Sequence, residues 1–248
     1  MRFCPLLLLL LSPVFLLGQD YLVLETADGR TTLKGNAALQ KREVSTASTF
    51  KIVLAWAGIE QGTVRASTLK TVADKHVPGS PRRVTLTQAM FYSSNDYFVP
   101  FVQEIGKDRL TDFVRRSGLF TQVAGQDWIG PQPRKIVAGG ILKTSPELNH
   151  AFMIKVASGS WIQKPEVQAE LEKAMFWPSP DPAVKLYGKT GTVTGAVWFN
   201  GFGKTPKGKK VVTVFIPGGI GDRPRTIQLF YEAFGLKWDD RLTQQVDP

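Results

Sequence analysis

Ser48-Thr49-Phe50-Lys51 places a hydroxyl and an amine three positions apart. On a helix that spacing is about one turn, so Ser48 Oγ and Lys51 Nζ can meet on one face. Burial disfavours the charged form of a lysine, and an amine that is neutral near pH 7 can take the serine proton. The implied chemistry is attack of Ser48 on a carbonyl. Helix N-terminal N–H groups and the positive dipole end would lie near the negative charge that develops. The pattern alone is weak, since a chain of this length yields roughly one match by chance. Ser67-Thr68-Leu69-Lys70 is such a second match. It runs into Thr71-Val72-Ala73-Asp74-Lys75 and Pro78-Gly79, with no apolar run to bury the lysine. Phe50 to Ile59 is instead apolar nearly all round, and a helix with no polar face is buried on every side.

Two further groups carry matching chemistry. Ser93-Ser94-Asn95 follows a helical stretch ending Ala89-Met90-Phe91-Tyr92. It offers a hydroxyl that can relay a proton and an amide that can bind a substrate amide. By itself such a triplet is more often a turn or helix cap. Lys189-Thr190-Gly191-Thr192 lies inside a predicted edge-like strand. Lys189 can attract a carboxylate and Thr190 can hydrogen-bond it. Gly191 permits close backbone approach, and the Thr192 N–H can share an oxyanion hole with the Ser48 N–H. Lys143-Thr144-Ser145 is a second match to this pattern, but it precedes Pro146 and a helix.

These residues must be positioned by the elements around them. Tyr21 to Thr26 predicts a strand, Asp28-Gly29 a turn, and Thr31 to Leu33 the start of a returning strand. Ser45-Thr46-Ala47-Ser48 offers several N-caps for the buried helix, and Gly62 can end it. Helices are expected at Leu86 to Tyr92, Asp96 to Ile105, Asp108 to Ser117, Pro146 to Ala157 and Pro165 to Met175, with breaks at Gly79-Ser80-Pro81 and Gly130-Pro131. Val184 to Thr194, Ala196 to Phe202 and Val211 to Ile216 predict strands, the last two joined by a turn over Lys204 to Lys210. Pro224 to Phe234 predicts a closing helix. Strands at both ends around a helical middle imply one mainly antiparallel sheet built from both termini, flanked by helices, with a helical lobe inserted at about 63–183. The buried helix then starts near the sheet edge, beside a cleft where ligands tend to bind.

The 248 residues suit one domain with an inserted lobe, and 43% hydrophobic against 21% charged residues is enough to bury a core. The formal charge of +10 suits anionic surroundings without choosing among them. Its cations are scattered, apart from Arg115-Arg116 and Lys207-Gly208-Lys209-Lys210, and no nucleic-acid motif organises them, so no nucleic-acid partner is expected. Arg2 precedes an apolar stretch, Leu6 to Leu17, of the length of a signal-peptide core. The expectation is a signal peptide at 1–18, cleaved after Gly18, and an exported domain at 19–248, periplasmic or secreted. Membrane attachment would come only through an uncleaved signal. Cys4 lies inside that segment, so the mature chain has no thiol. With only His76 and His150, no metal site is expected.

Taken together and in this order, the three motifs make the chain resemble the penicillin-recognising serine enzymes: β-lactamases, penicillin-binding transpeptidases and β-lactam sensor domains. Ala47-Ser48-Thr49-Phe50-Lys51-Ile52 with Gly58-Ile59-Glu60-Gln61-Gly62 is most similar to class D β-lactamases. The resemblance covers nearly all of the mature chain, including Leu142-Lys143-Thr144-Ser145-Pro146. It implies an α/β (α+β) domain of β-lactamase/transpeptidase type that acts on β-lactams or peptidoglycan stem peptides. Ser48, Lys51 and Ser93 would be catalytic, with Asn95, Lys189, Thr190, Gly191 and Thr192 binding substrate. Arg225 is a looser match to the family's carboxylate-binding arginine. No cofactor is expected, with carbamylation of Lys51 by carbon dioxide left open. Two features depart from class D. Asn95 stands where those enzymes usually carry a valine that keeps the lysine pocket dry, and this is the pattern of penicillin-binding proteins and sensors. No Tyr-Gly-Asn triplet occurs in the middle region, where Trp128 has no clear counterpart. The leading expectation is a class D-like β-lactamase. A D-Ala-D-Ala carboxypeptidase or transpeptidase, and a β-lactam sensor, are the alternatives.

Overall fold

The computed structural model describes residues 20–121, 133–139, 142–160, 162 and 164–247. The segment 1–18 with Cys4, Gly130-Pro131 and Trp128 lie outside the described residues. Strands β1 (Leu22–Ala27) and β2 (Arg30–Gly35) form a hairpin at Asp28-Gly29. Far along the chain, β7 (Phe176–Trp177), β8 (Lys185–Val193), β9 (Ala196–Thr205) and β10 (Gly208–Ile216) complete a six-stranded sheet in the order β2-β1-β10-β9-β8-β7. All its pairings are antiparallel, and the sheet closes through β1 against β10, so both ends of the chain build it. Two small pairs were not foreseen: β3 (Val44–Ser45) with β6 (Lys143–Thr144), and β4 (Lys70–Val72) with β5 (Arg82–Val84). Runs of two or three residues are too short to show a period of two.

Both faces of the sheet are covered, so successive residues of β9 can both be large and apolar. Trp198 packs with Phe215, Leu22 and Leu24, while Phe199 turns to the other face and stacks on Phe230. Phe230 belongs to α8 (Arg223–Glu232), which lies against β9 and β10. Another helix, α6 (Pro146–Ser158), packs on β10, β9 and β1. Much of the span 63–183 is helical, with α2 (Leu86–Tyr92), α3 (Val99–Ile105), α4 (Lys107–Ser117), α5 (Pro133–Val137) and α7 (Pro165–Ala174). Because α6 and β7 belong to the sheet layer, that span is only in part a separate lobe. Helix α3 starts at Val99 instead of Asp96. Pro100 suits a first helical turn, and the N–H groups of Asp96 and Tyr97 are already held by the side chains of Asp74 and Ser94.

The apolar run after Ser48 forms α1 (Lys51–Glu60), buried from Lys51 to Ile59 and packed by α3, α4 and α7. The turn before it, Ala47–Phe50, is 3₁₀ instead of α, so Ser48 sits one turn ahead of α1. Among the described residues, no helix is long and apolar enough to cross a membrane.

His150 on α6 is buried between sheet hydroxyls, with Nε2 2.7 Å from Thr26 Oγ1 and Nδ1 3.2 Å from Thr213 Oγ1. Burial pushes its pKa from 6.5 down to about 4. Between those values the unfolded chain binds a proton that the folded chain does not, so stability is lost as pH falls through this window. The loss from this group is up to about 3 kcal/mol. Denaturant unfolding at pH 7 and pH 4 is expected to show a larger loss for the wild type than for His150→Gln. Equal losses would contradict the assignment.

Candidate active site

The start of α1 is held from three sides. Trp198 Nε1 donates to Ser45 O at 2.9 Å, tying β9 to the segment that leads into Ser48. Ala47 adopts φ 48, a left-handed backbone that non-glycine residues rarely take, and it is fully buried. Gly139, at φ +104 just after α5, lies directly against it: an added Cβ there would stand 2.5 Å from Ala47 N. From the third side comes β8. Its pairing with β7 covers only Leu186 and Tyr187, so among the described residues Lys189 to Val193 have no strand partner on that side. This free edge rests on the Ser48 turn. A Cβ at Gly191 would come within 3.0 Å of Thr46 O and Thr49 N, so the approach needs a glycine.

Lys51 Nζ is the hub. It lies 2.8 Å from Ser48 Oγ, 2.8 Å from Asn95 Oδ1 and 3.3 Å from Ser93 Oγ. Its side chain is fully buried, and that desolvation lowers its pKa from 10.5 to about 7. Asp74 pulls the value back up and Arg134 pushes it down. Ser93 reaches the hub from the C-cap of α2, where it takes φ 62 and ψ 35. Lys189 is also fully buried and donates to Thr190 O at 2.8 Å. Burial, then the charges of Lys51 and Arg223, hold its pKa well below the usual lysine value.

A cleft of about 430 Å³ opens over these groups, lined by Ser48, Ser93, Asn95, Thr190, Gly191 and Thr192 from the three sequence motifs. Tyr92, His76, Ile220 and Arg223 complete it. The second-match motifs lie elsewhere. Lys70 pairs with Glu104 at 3.4 Å and sits over the Phe101 ring, and Lys143 is exposed on β6.

Arg225 does not reach the cleft. Its guanidinium lies over the Tyr21 ring at 5.3 Å, in a separate depression with Gln228 and Trp238. Arg223 takes the place expected for it, with Nη2 3.5 Å from Thr190 Oγ1. Residues two apart on a helix point about 200° from each other, so an error of two positions reverses the side chain's direction. Sequence reasoning also missed Asp74, Arg134 and His76, which come from loops and a short helix with no pattern linking them to the motifs.

The arrangement presents a hydroxyl in contact with a poorly basic amine, a second hydroxyl on the same amine, and the Arg223 guanidinium in the wall of the cleft. Residues 25–219 match the penicillin-binding protein transpeptidase domain. The chain belongs to that family. No curated protein matches the sequence. Among solved structures, the fold is similar to a class D β-lactamase from Bacillus subtilis, with a TM-score of 0.74 and 22% identity over 89% of this chain and 94% of that one. A class D β-lactamase from Nostoc is similar too, with a TM-score of 0.74 and 20% identity over 87% and 93% of the two chains. One from Fusobacterium nucleatum subsp. polymorphum matches with a TM-score of 0.74 and 18% identity, over 87% and 90%.

Gly139→Ala tests the packing beneath the Ser48 turn. The added methyl would collide with Ala47 at a backbone angle that already disfavours side chains, so a loss of about 2 kcal/mol or more is expected in denaturant unfolding. Gly221→Ala, with nothing within 4 Å of the added atom, is expected to change stability by less than about 0.5 kcal/mol. Equal effects would show that the contact is unimportant.

Proposed function

We propose that this chain is a serine acyl-transfer enzyme that opens β-lactams through a Ser48 acyl-enzyme. The observation that carries the reading is the 2.8 Å contact between Ser48 Oγ and a lysine amine whose burial brings its pKa to about 7. The neutral Lys51 amine takes the Ser48 proton as Oγ bonds to the lactam carbonyl carbon, and the oxyanion is held by the Ser48 and Thr192 N–H groups. As the carbon–nitrogen bond breaks, the proton on Lys51 passes through Ser93 Oγ to the leaving nitrogen. Thr190 and Arg223, which line the cleft, hold the substrate carboxylate, with Lys189 buried beside them. With Asn95 Oδ1 accepting from Lys51, the Asn95 amide N–H groups are left to bind an amide carbonyl of the substrate. Water then hydrolyses the ester in a lactamase. The same reading makes residues 19–248 an exported domain, periplasmic or secreted, behind a signal segment at 1–18.

One observation favours a second outcome from the same residues. The polar Asn95 amide stands 2.8 Å from the amine, where class D enzymes usually present an apolar valine. A polar, hydrogen-bonded amine is a poorer acceptor for carbon dioxide than a dry one, so Lys51 works as a free amine and deacylation is slow. That is how a D-Ala-D-Ala peptidase or a β-lactam sensor behaves toward a β-lactam.

Mass spectrometry of the purified protein with a chromogenic cephalosporin, with and without bicarbonate, separates these outcomes. A covalent adduct on Ser48 is expected, absent in Ser48→Ala. Sustained turnover supports hydrolysis, and a persistent adduct supports the second outcome. Lys51→Ala is expected to slow acylation by about 100-fold or more, while Lys70→Ala stays within about twofold of wild type. The absence of both turnover and an adduct with the wild type, or an adduct that survives in Ser48→Ala, would sink the reading.

A further inference from the structure

Ser93 and Asn95 meet Lys51 from a turn, and a turn needs fastening if it is to hold two side chains within hydrogen-bond distance of one amine. The fastening comes from Asp74, which lies in the loop after β4 and is buried with its side chain 1% exposed. Asp74 Oδ2 accepts from Ser94 Oγ at 2.6 Å and from the Asp96 N–H at 2.9 Å, gripping the turn on either side of Asn95. Its Oδ1 accepts from Arg134 at 2.8 Å. Arg134, on α5, also donates to Asp96 Oδ1 at 2.5 Å, and Asp96 Oδ2 accepts from the Ala73 N–H at 2.9 Å. The loop carrying Asp74 and the turn carrying Asn95 are therefore joined at several points, with one guanidinium bridging both carboxylates. His76 Nε2 adds a contact to Ser93 O at 3.3 Å.

We propose that Asp74 and Arg134 are positioning residues for acyl transfer, an ion pair that locks the Ser93–Asn95 turn onto Lys51 and sets the field at its amine. The proposal rests on the reading of Ser48 and Lys51 given above, and it adds a function for charges that touch neither substrate nor nucleophile. Both charges are felt at Lys51 with opposite sign, Asp74 favouring the protonated amine and Arg134 the neutral one. Lys189 faces the same region from β8, and His76 and Arg223 line the same cleft. A residue that merely filled space at this corner would shift the amine in no particular direction. Loss of a charge makes a signed demand.

The test reads the Lys51 side chain directly by NMR titration of lysine-labelled protein, assigned with Lys51→Arg, and reads Ser48 acylation by a chromogenic cephalosporin in parallel. Arg134→Gln is expected to move the Lys51 midpoint up and Asp74→Asn to move it down, each by about half a pH unit or more. Both are expected to slow acylation about tenfold or more, because Ser93 and Asn95 lose their fixed geometry. Arg134→Lys keeps the charge but loses the fork between two carboxylates. It is expected to hold the wild-type midpoint and still acylate slowly. Midpoints that stay put in Arg134→Gln and Asp74→Asn, that move in the same direction, or that move while acylation stays at the wild-type rate, overturn the proposal. Circular dichroism confirms folding, and Asp74→Glu stands in if Asp74→Asn does not fold. The titration needs no β-lactam, so a wild type that fails to acylate refutes the acyl-transfer reading while the signed shifts still decide this one.

Discussion

A lysine amine sealed from solvent costs the folded chain free energy, because the unfolded chain keeps that amine hydrated and protonated. With its pKa lowered from 10.5 to about 7, Lys51 costs about 4 kcal/mol at neutral pH. That is a large part of the 5–15 kcal/mol by which a typical domain is stable, so it must be offset by the core around α1. This explains why Ile52 to Ile59, which follow Lys51, are all apolar or small and all buried. The same burial that costs stability brings the amine close to neutrality at pH 7, and among the described residues its side-chain hydrogen bonds go to Ser48, Ser93 and Asn95.

Placing that amine near a substrate needs the sheet. The free edge of β8 can lie on the Ser48 turn only because β7 is two residues long and because Gly191 has no side chain to hold the two apart. The left-handed Ala47 and the glycine beneath it make the turn compact enough to fit there. Lys51 and Arg223 lie close to Lys189 and disfavour a further positive charge there, while Asp74 favours one on Lys51.

The sequence makes much of this visible. Ser48 and Lys51 stand out because an unbroken apolar run follows them, a pattern that Ser67 and Lys70 lack. Helix α2 ends where Tyr92 meets Ser93, as the hydrophobic spacing predicts, and the strands β8, β9 and β10 are long enough to be read from composition. Other parts depend on three-dimensional placement that leaves no local mark. The sequence reading points to Arg225, whereas the structure puts Arg223 at the cleft, a difference that depends on the phase of α8. Asp74 and Arg134 are 60 residues apart and meet because a loop and the short helix α5 come together beside one turn. The 3₁₀ form of the Ser48 turn goes with a left-handed Ala47, which composition does not reveal.

The most direct measurement is the pH dependence of the single-turnover acylation rate of Ser48 in the wild-type protein. If the buried Lys51 amine is the base, the rate is expected to rise with pH through a midpoint near 7 and level off above it, since the reactive form is the unprotonated amine. A rate that keeps climbing to a midpoint near the ordinary lysine value, or that is flat across this range, would contradict it.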